Sequence, residues 1–283
     1  MHMTATTKSR KNPNLSTNQT YVAALYEGTF SVGLDRIFNR IPKDGQPAKG
    51  ALKISLNPFL IVTPDRNILF DCGIGEFGED TGPHFIRKNL EEHGLTEFDI
   101  TDVFLSHLHY DHIGGLANKE NGYWELTFPD AKIWTSEKDW ERATAKEVWY
   151  DEEKTEFLSF VDARADIHFL NEQDQPYPEI SVEKIGGHTE HHLVLLFNDG
   201  TNKFLQAGDV IATRSQINRK FAAKYDFDPQ TSQAQRERLA KLAFDEGYIV
   251  LGFHDDQDPI VKITGYDEKT GYQTEALESY VPS

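Results

Sequence analysis

The sequence predicts an α/β fold, and three observations carry that reading. Short runs rich in β-branched and aromatic residues alternate with segments of helical period. Four of those runs, ending near residues 105, 185, 207 and 253, each hand a His or an Asp to the following loop, and open α/β architectures gather their sites at strand ends. The third observation is size: 283 residues, 38% of them hydrophobic, can bury a sizeable core in one large domain or two small ones. No internal repeat or long low-complexity segment divides the chain, so a single domain is expected over residues 21–283.

Charge and cysteine usage narrow the function classes. The formal net charge of −17, from 46 acidic against 29 basic residues, repels phosphate backbones and anionic headgroups, so neither nucleic acid nor a membrane is expected as a partner. No stretch approaches the roughly 18 apolar residues of a membrane helix. The lone Cys72 excludes an internal disulfide and any multi-cysteine zinc site; metal binding must rest on His and carboxylates, and the chain reads as cytoplasmic. Residues 1–20 carry Lys8, Arg10 and Lys11, no acid and many Ser, Thr and Asn, without the apolar core of a secretory signal; a disordered tail is expected there.

Order is expected from Tyr21, where Tyr21–Tyr26 has strand composition, with a Pro/Gly-rich loop at 42–50. Leu52–Val62 and Asn67–Phe70 read as strands joined by the turn Thr63-Pro64-Asp65-Arg66-Asn67. The second ends in Asp71-Cys72-Gly73; taken alone, Asp71 is a turn residue. Pro83 opens a helix with Phe85, Ile86, Asn89, Leu90 and His93 at helical spacing and Gly94 as its stop. His84 and His93 have no partner motif and read as surface or helix-end residues.

Ile100–Leu105 is a short strand that runs into the crowded loop. Ser136-Glu137-Lys138-Asp139 fits a capping box for a helix to about Val148, and Glu156–Ala165 also reads as helical. Trp140 and Trp149 read as packing aromatics. Val182–Ile185, Leu193–Phe197 and Lys203–Ala207 follow as strands, with an Asn198-Asp199-Gly200 turn between the last two. The helix Ser232–Glu246, stopped by Gly247, precedes the strand Tyr248–Phe253.

The loop Leu105-Ser-His-Leu-His-Tyr-Asp-His-Ile-Gly-Gly115 places His107, His109, Asp111 and His112 within six positions. On this chain's own composition such spacing arises by chance only about once in a thousand chains. His107 and His109 alternate with Leu108, so in extended backbone both rings face one side. Asp111 and His112, beyond a turn, can face a second position. Imidazole and carboxylate together suit catalytic zinc, iron or manganese. His188, Asp209 and His254 would each read alone as turn or loop residues; the first cluster is what promotes them to candidate ligands.

With these residues in view, the chain from about Tyr21 to Ile263 resembles the metallo-β-lactamase-fold hydrolase superfamily. The shared signals run in order: Asp71 after a strand, His107-x-His109-x-Asp111-His112, Gly187-His188-Thr189, Ala207-Gly208-Asp209 and Gly252-Phe253-His254. The resemblance implies a four-layer αββα sandwich with two divalent metal ions, zinc first, with iron, manganese or cobalt also accommodated. One ion would take His107, His109 and His188, and the other Asp111, His112 and His254, with Asp209 bridging. Asp71 would orient a liganding His from behind. The usual family segment Gly-His-Thr-Pro-Gly-His is altered to Gly187-His188-Thr189-Glu190-His191-His192, so His191 is expected to face solvent and His192 to support the site.

The implied activity is hydrolysis of a lactone or ester by a metal-bridging hydroxide, with Asp111 passing a proton to the leaving alkoxide. The acidic charge argues against a nuclease, and the lack of a ligand Cys against one β-lactamase subgroup. The segment Tyr225-Asp226-Phe227-Asp228-Pro229, with Ala234 and Arg238, resembles the branch holding methyl-parathion-hydrolase-like enzymes and quorum-quenching lactonases. An acyl-homoserine lactonase is therefore the leading expectation, although such enzymes often carry a Tyr three residues after the bridging Asp, where this chain has Ala212. The alternatives are an organophosphate or aryl-ester hydrolase, a glyoxalase-II-like thioesterase, and a metal-containing ligand sensor without turnover. A small-molecule substrate and a homodimer complete the expectation.

Overall fold

The computed structural model describes residues 20–145, 152–221, 223 and 225–278. Of the tail expected over residues 1–20, all but Thr20 lies outside them, as do Val148 and Trp149. In chain order the elements are β1 (Tyr21–Ala24), β2 (Gly28–Val32), β3 (Phe38–Ile41), β4 (Leu52–Leu56), β5 (Phe59–Val62), β6 (Asn67–Phe70), α1 (Pro83–Glu92) and β7 (Asp102–Phe104). The one-turn α2 (Tyr110–Ile113), the hairpin β8 (Ala117–Glu120) and β9 (Tyr123–Leu126), β10 (Lys132–Ser136), α3 (Glu137–Thr144) and α4 (Glu152–Arg164) follow. Then come β11 (Asp166–Leu170), β12 (Gln173–Tyr177), β13 (Ile180–Lys184), β14 (Leu193–Asn198), β15 (Lys203–Gln206), α5 (Pro229–Glu246), β16 (Ile249–Leu251), β17 (Ile260–Asp267) and β18 (Gly271–Ala276).

The single strand expected over Leu52–Val62 is two strands. Pro58 has no N–H to donate to a ladder, and the Asn57 amide donates instead to the Phe253 and Asp255 carbonyls at 2.9 Å each. The helix begun at Ser136 has its cap, the hydroxyl accepting from Asp139 N. α5 starts three residues earlier than its apolar pattern suggests, because Asp228 accepts from the Gln230 and Thr231 N–H groups and Pro229 needs no donor partner. It stops at Gly247 in the left-handed conformation.

Two sheets stack face to face. The first has the order β1-β5-β6-β7-β10-β11 and the second β12-β13-β14-β15-β16-β17-β18. Phe59, Ile61, Ile68, Phe70 and Phe104 from the first sheet meet Val182, Leu195, Phe197, Phe204 and Leu251 from the second, together with Phe253 just after β16. The alternate residues of the same strands, such as Leu60, Leu69 and Val103, face outward against α1, α3 and α4 through Leu90, Trp140 and Phe157. Val194, Leu205 and Val250 on the other outer face meet Leu239, Ala240 and Ala243 of α5. The order is helix, sheet, sheet, helix: the four-layer αββα sandwich. No helix among the described residues is long and apolar enough to cross a membrane.

One buried acid that is not among the candidate donors makes a stability prediction. Glu27 is 4% exposed, accepts from Ile74 N at 3.1 Å, and presses its carboxyl against Gly73. Burial pushes it up to about 8. A carboxyl whose folded value lies above its unfolded one favours the fold fully below the unfolded value, and loses that contribution as pH rises through the folded value. Stability is therefore expected to fall from about pH 4.5 to about pH 8, by at most about 1.4 kcal/mol per pH unit from this group. Denaturant unfolding of Glu27→Gln should show a flatter profile across that window and a more stable protein at its upper end; an unchanged profile contradicts the neutral-acid assignment.

Candidate metal centre

The expected donors converge at one edge of the paired sheets. Asp71 follows β6, His107 to His112 follow β7 and enter α2, His188 and His192 lie between β13 and β14, Asp209 lies on a 3-10 turn after β15, and His254 follows β16. The chain reverses sharply at these ends. Asp71 itself has φ +56°, and Gly208 has φ +47°. A Cβ on Gly208 would stand 2.6 Å from His192 Nε2 and 2.7 Å from Ser106 Oγ, so a side chain before Asp209 cannot be accommodated.

Two groups of ligand atoms result, each spanning no more than 4.8 Å: His107, His109, His188 and Asp209, and Asp111, His112 and His254. In the first, His109 Nδ1 lies 2.9 Å from His107 Nε2 and 3.1 Å from His188 Nε2. In the second, Asp111 Oδ2 lies 3.4 Å from His254 Nε2 and 3.7 Å from His112 Nε2. Asp209 faces both groups: Oδ2 is 3.2 Å from His188 Nε2, while Oδ1 is 3.2 Å from His112 Nε2 and 2.9 Å from His254 Nε2. His107 and His112 are buried, and His109 is exposed at the mouth.

The outward nitrogens explain why the inward ones are free to accept a cation. His112 Nδ1 donates to Asp71 Oδ2 at 2.9 Å, and His254 Nδ1 to the Ser55 carbonyl at 3.0 Å. His188 Nδ1 donates to Asp226 Oδ1 at 2.8 Å. Ser106 Oγ gives its proton to Asp71 Oδ2 at 2.8 Å and accepts from His107 Nδ1 at 3.1 Å. With each Nδ1 holding the ring proton, the Nε2 lone pairs of these four rings point into the site.

The carboxylates that face these rings attract a proton as they would a cation, so a bound ion displaces protons from the Nε2 positions. Burial opposes charge on His112 and His254, yet Asp71, Asp111 and Asp209 hold the first well above the usual imidazole range, and Asp209 with Asp111 raises the second. Burial likewise opposes the charge of Asp209, but His254, His188 and His112 hold its carboxyl well below the usual range. His107 is pushed well below by burial and by the neighbouring His112, His109 and His192 rings. The residues fit divalent cations: His112 Nε2 and Asp209 Oδ1 are both buried, 3.2 Å apart and poorly satisfied, an arrangement that a cation between them, or a proton in its place, resolves.

Asp71 lies behind His112 and also binds Ser106 and Gln206. His192 is buried against the rings of His107 and His188, its Nε2 donating to the Ala207 carbonyl at 3.0 Å. His191 is half-buried and outside both groups, rather than fully turned to solvent. His93 stacks on Tyr21, 5.7 Å between ring centres. Sequence reasoning missed the supporting roles of Ser106, Gln206 and Asp226. A polar residue inside an apolar strand was a signal for Gln206, whereas Asp226 had none beyond its place in the segment before α5.

Two stacked sheets with seven converging His and Asp donors define a metal-centre protein of the αββα class. The model of the metallo-beta-lactamase superfamily matches residues 55–254, and the chain belongs to that superfamily. Over 151 residues it is 25% identical to hydroxyacylglutathione hydrolase of Haemophilus ducreyi, a match covering 53% of this chain and 48% of the relative, so the chain spans about half of that relative's length. A solved structure of a probable metal-dependent hydrolase from Staphylococcus aureus superposes with TM-score 0.74 at 22% identity, over 94% of this chain and all of that one. AidC, a dizinc quorum-quenching lactonase solved with N-hexanoyl-homoserine product, gives 0.72 at 20% identity over 93% and 96%. At these identities the two structures speak for the fold.

Proposed function

We propose that the protein is a dinuclear metal-dependent hydrolase that opens lactones, acyl-homoserine lactones first among them. In this reading His107, His109 and His188 hold one ion and Asp111, His112 and His254 the other. The observation that carries it is Asp209, whose two carboxylate oxygens face different donor groups. Zinc is the first choice for such donors, with iron, manganese and cobalt compatible.

Two divalent ions held here would supply Lewis acidity toward a substrate oxygen and a lowered pKa for water. The chain's own residues do the rest. Opening a lactone adds water across the ring ester: the acyl C–O bond breaks and the leaving alkoxide needs a proton. Asp111, its side chain 11% exposed beside the fully buried His112, is the carboxylate we assign to passing that proton on. His109 lines the mouth. Ala212 is buried, its carbonyl accepting from His254 N, so it offers no side chain to a substrate. Tyr225, 60% exposed with its ring 6.2 Å from that of His188, stands beside the donors instead and is the side chain we assign to substrate contact.

The lactone choice is supported by the fold shared with AidC, together with the sequence segment before α5. The match to hydroxyacylglutathione hydrolase supports a second reading, a glyoxalase-II-like thioesterase. Metal-reconstituted protein should be assayed against acyl-homoserine lactones, aryl esters, S-lactoylglutathione and a phosphotriester. Lactone turnover is expected; turnover of the thioester alone overturns the lactonase reading, and ligand binding without turnover of any substrate makes the protein a sensor. Asp111→Asn is expected to lower kcat about 10²- to 10⁴-fold, the usual worth of a proton-transfer group. Retention of both ions and full turnover excludes Asp111 as that group. A cytoplasmic location and a homodimer belong to the same reading, checked by fractionation and light scattering.

A further inference from the structure

The loop before α5 and the first half of that helix touch the donor groups at two places. Asp226 lies in the segment just before α5, 38 positions from His188, yet its side chain is only 1% exposed and accepts from His188 Nδ1 at 2.8 Å. The backbone on either side is tied to the same loop: Phe227 N donates to the His188 carbonyl at 3.1 Å, and Asp228 N to the Gly187 carbonyl at 2.8 Å. Gly187 has φ +93°, and a Cβ there would lie 2.6 Å from Ser232 Cα, so the loop carrying His188 is seated directly on the helix.

The second place is Arg236, 1% exposed and among the largest fully buried side chains. Its Nε donates to the Val210 carbonyl at 2.9 Å, one residue after Asp209, and its Nη1 donates to the Phe221 carbonyl at 3.2 Å. A buried cation that spends its planar fork on main-chain carbonyls ties separate segments together, which a point-like ammonium does less well. One donor joins α5 to the turn that carries Asp209. The other joins it to the loop that carries Asp226.

From this geometry we infer that Asp226 and Arg236 are positioning residues that make α5 the common support of His188 and Asp209. Asp226 fixes the ring tautomer and rotation of His188 and, as a carboxylate, makes its Nε2 a better donor. Arg236 fixes the turn from which the Asp209 carboxylate reaches both groups. The inference rests on the metal-binding part of the proposed function, but not on the substrate.

The test reads metal affinity rather than turnover. Wild-type, Asp226→Ala, Asp226→Asn and Arg236→Lys proteins are stripped, titrated with zinc against a chelator, and separately loaded with cobalt for visible spectra, with thermal unfolding of each stripped protein alongside. Asp226→Ala is expected to lose about 10- to 100-fold in affinity for one of the two ions and to alter the cobalt spectrum. Asp226→Asn, which keeps an acceptor for Nδ1–H without the charge, should lose less, and it decides the matter if the alanine variant does not fold. Arg236→Lys should also weaken metal binding. Wild-type affinity and an unchanged cobalt spectrum in both foldable Asp226 and Arg236 variants overturn the assignment. A wild-type chain that takes up no metal overturns it together with the metal reading, whereas two bound ions without lactone turnover overturn the substrate reading alone.

Discussion

Asp209→Ala is expected to lower kcat/KM by on the order of 10³-fold or more and to reduce the metal content of the purified protein. Its two carboxylate oxygens face different donor groups: Oδ2 faces His188 and Oδ1 faces His112 and His254. Without it, the group of His107, His109 and His188 has no carboxylate and the other group keeps only Asp111, so the ions lose both a ligand and a countercharge. Asp209→Asn keeps the volume but offers only one oxygen, and it should also fail to hold two ions. Rates and elemental analysis on the same preparations check this. An alanine variant with two ions and near wild-type turnover would remove Asp209 from the centre of the chemistry.

The second large effect is expected at Asp71, and it falls on stability as well as metal binding. This buried carboxylate accepts four bonds: Ser106 N on Oδ1, and Ser106 Oγ, His112 Nδ1 and Gln206 Nε2 on Oδ2, at 2.6–2.9 Å. Asp71→Ala strands those donors without water and should cost about 3–5 kcal/mol in the metal-free protein. Asp71→Asn is no remedy, because either orientation of the amide turns its NH2 toward at least one of these donors. Both variants should also free the His112 ring and lower metal affinity. Denaturant unfolding and metal titration measure the two effects, and an Asn variant as stable as wild type would contradict the four-donor arrangement.

Much of this site was legible because its chemistry is concentrated. His107, His109, Asp111 and His112 announce themselves in six positions, while His188, Asp209 and His254 became candidates only through that cluster and the family resemblance. Asp226 was out of reach: 38 residues separate it from His188, and only the packing of α5 on Gly187 brings them together. The fold was legible where strands are apolar on both faces, as in β5, β6 and β14. It was not where strands are half-exposed: β9 reads Tyr-Trp-Glu-Leu and β12 Gln-Asp-Gln-Pro-Tyr, and both are held by ladder bonds to a neighbour rather than by their own composition. β2, β3, β8, β10, β11 and the closing hairpin β17–β18 were likewise not expected. The hairpin lies at the second sheet's edge, beyond the last donor motif.

Anomalous diffraction from crystals of the metal-loaded protein tests the division of the site most directly. Two peaks are expected, one beside His107, His109 and His188 and the other beside Asp111, His112 and His254, with Asp209 between them. A single ion held jointly by His107, His109, Asp111 and His112 would contradict it.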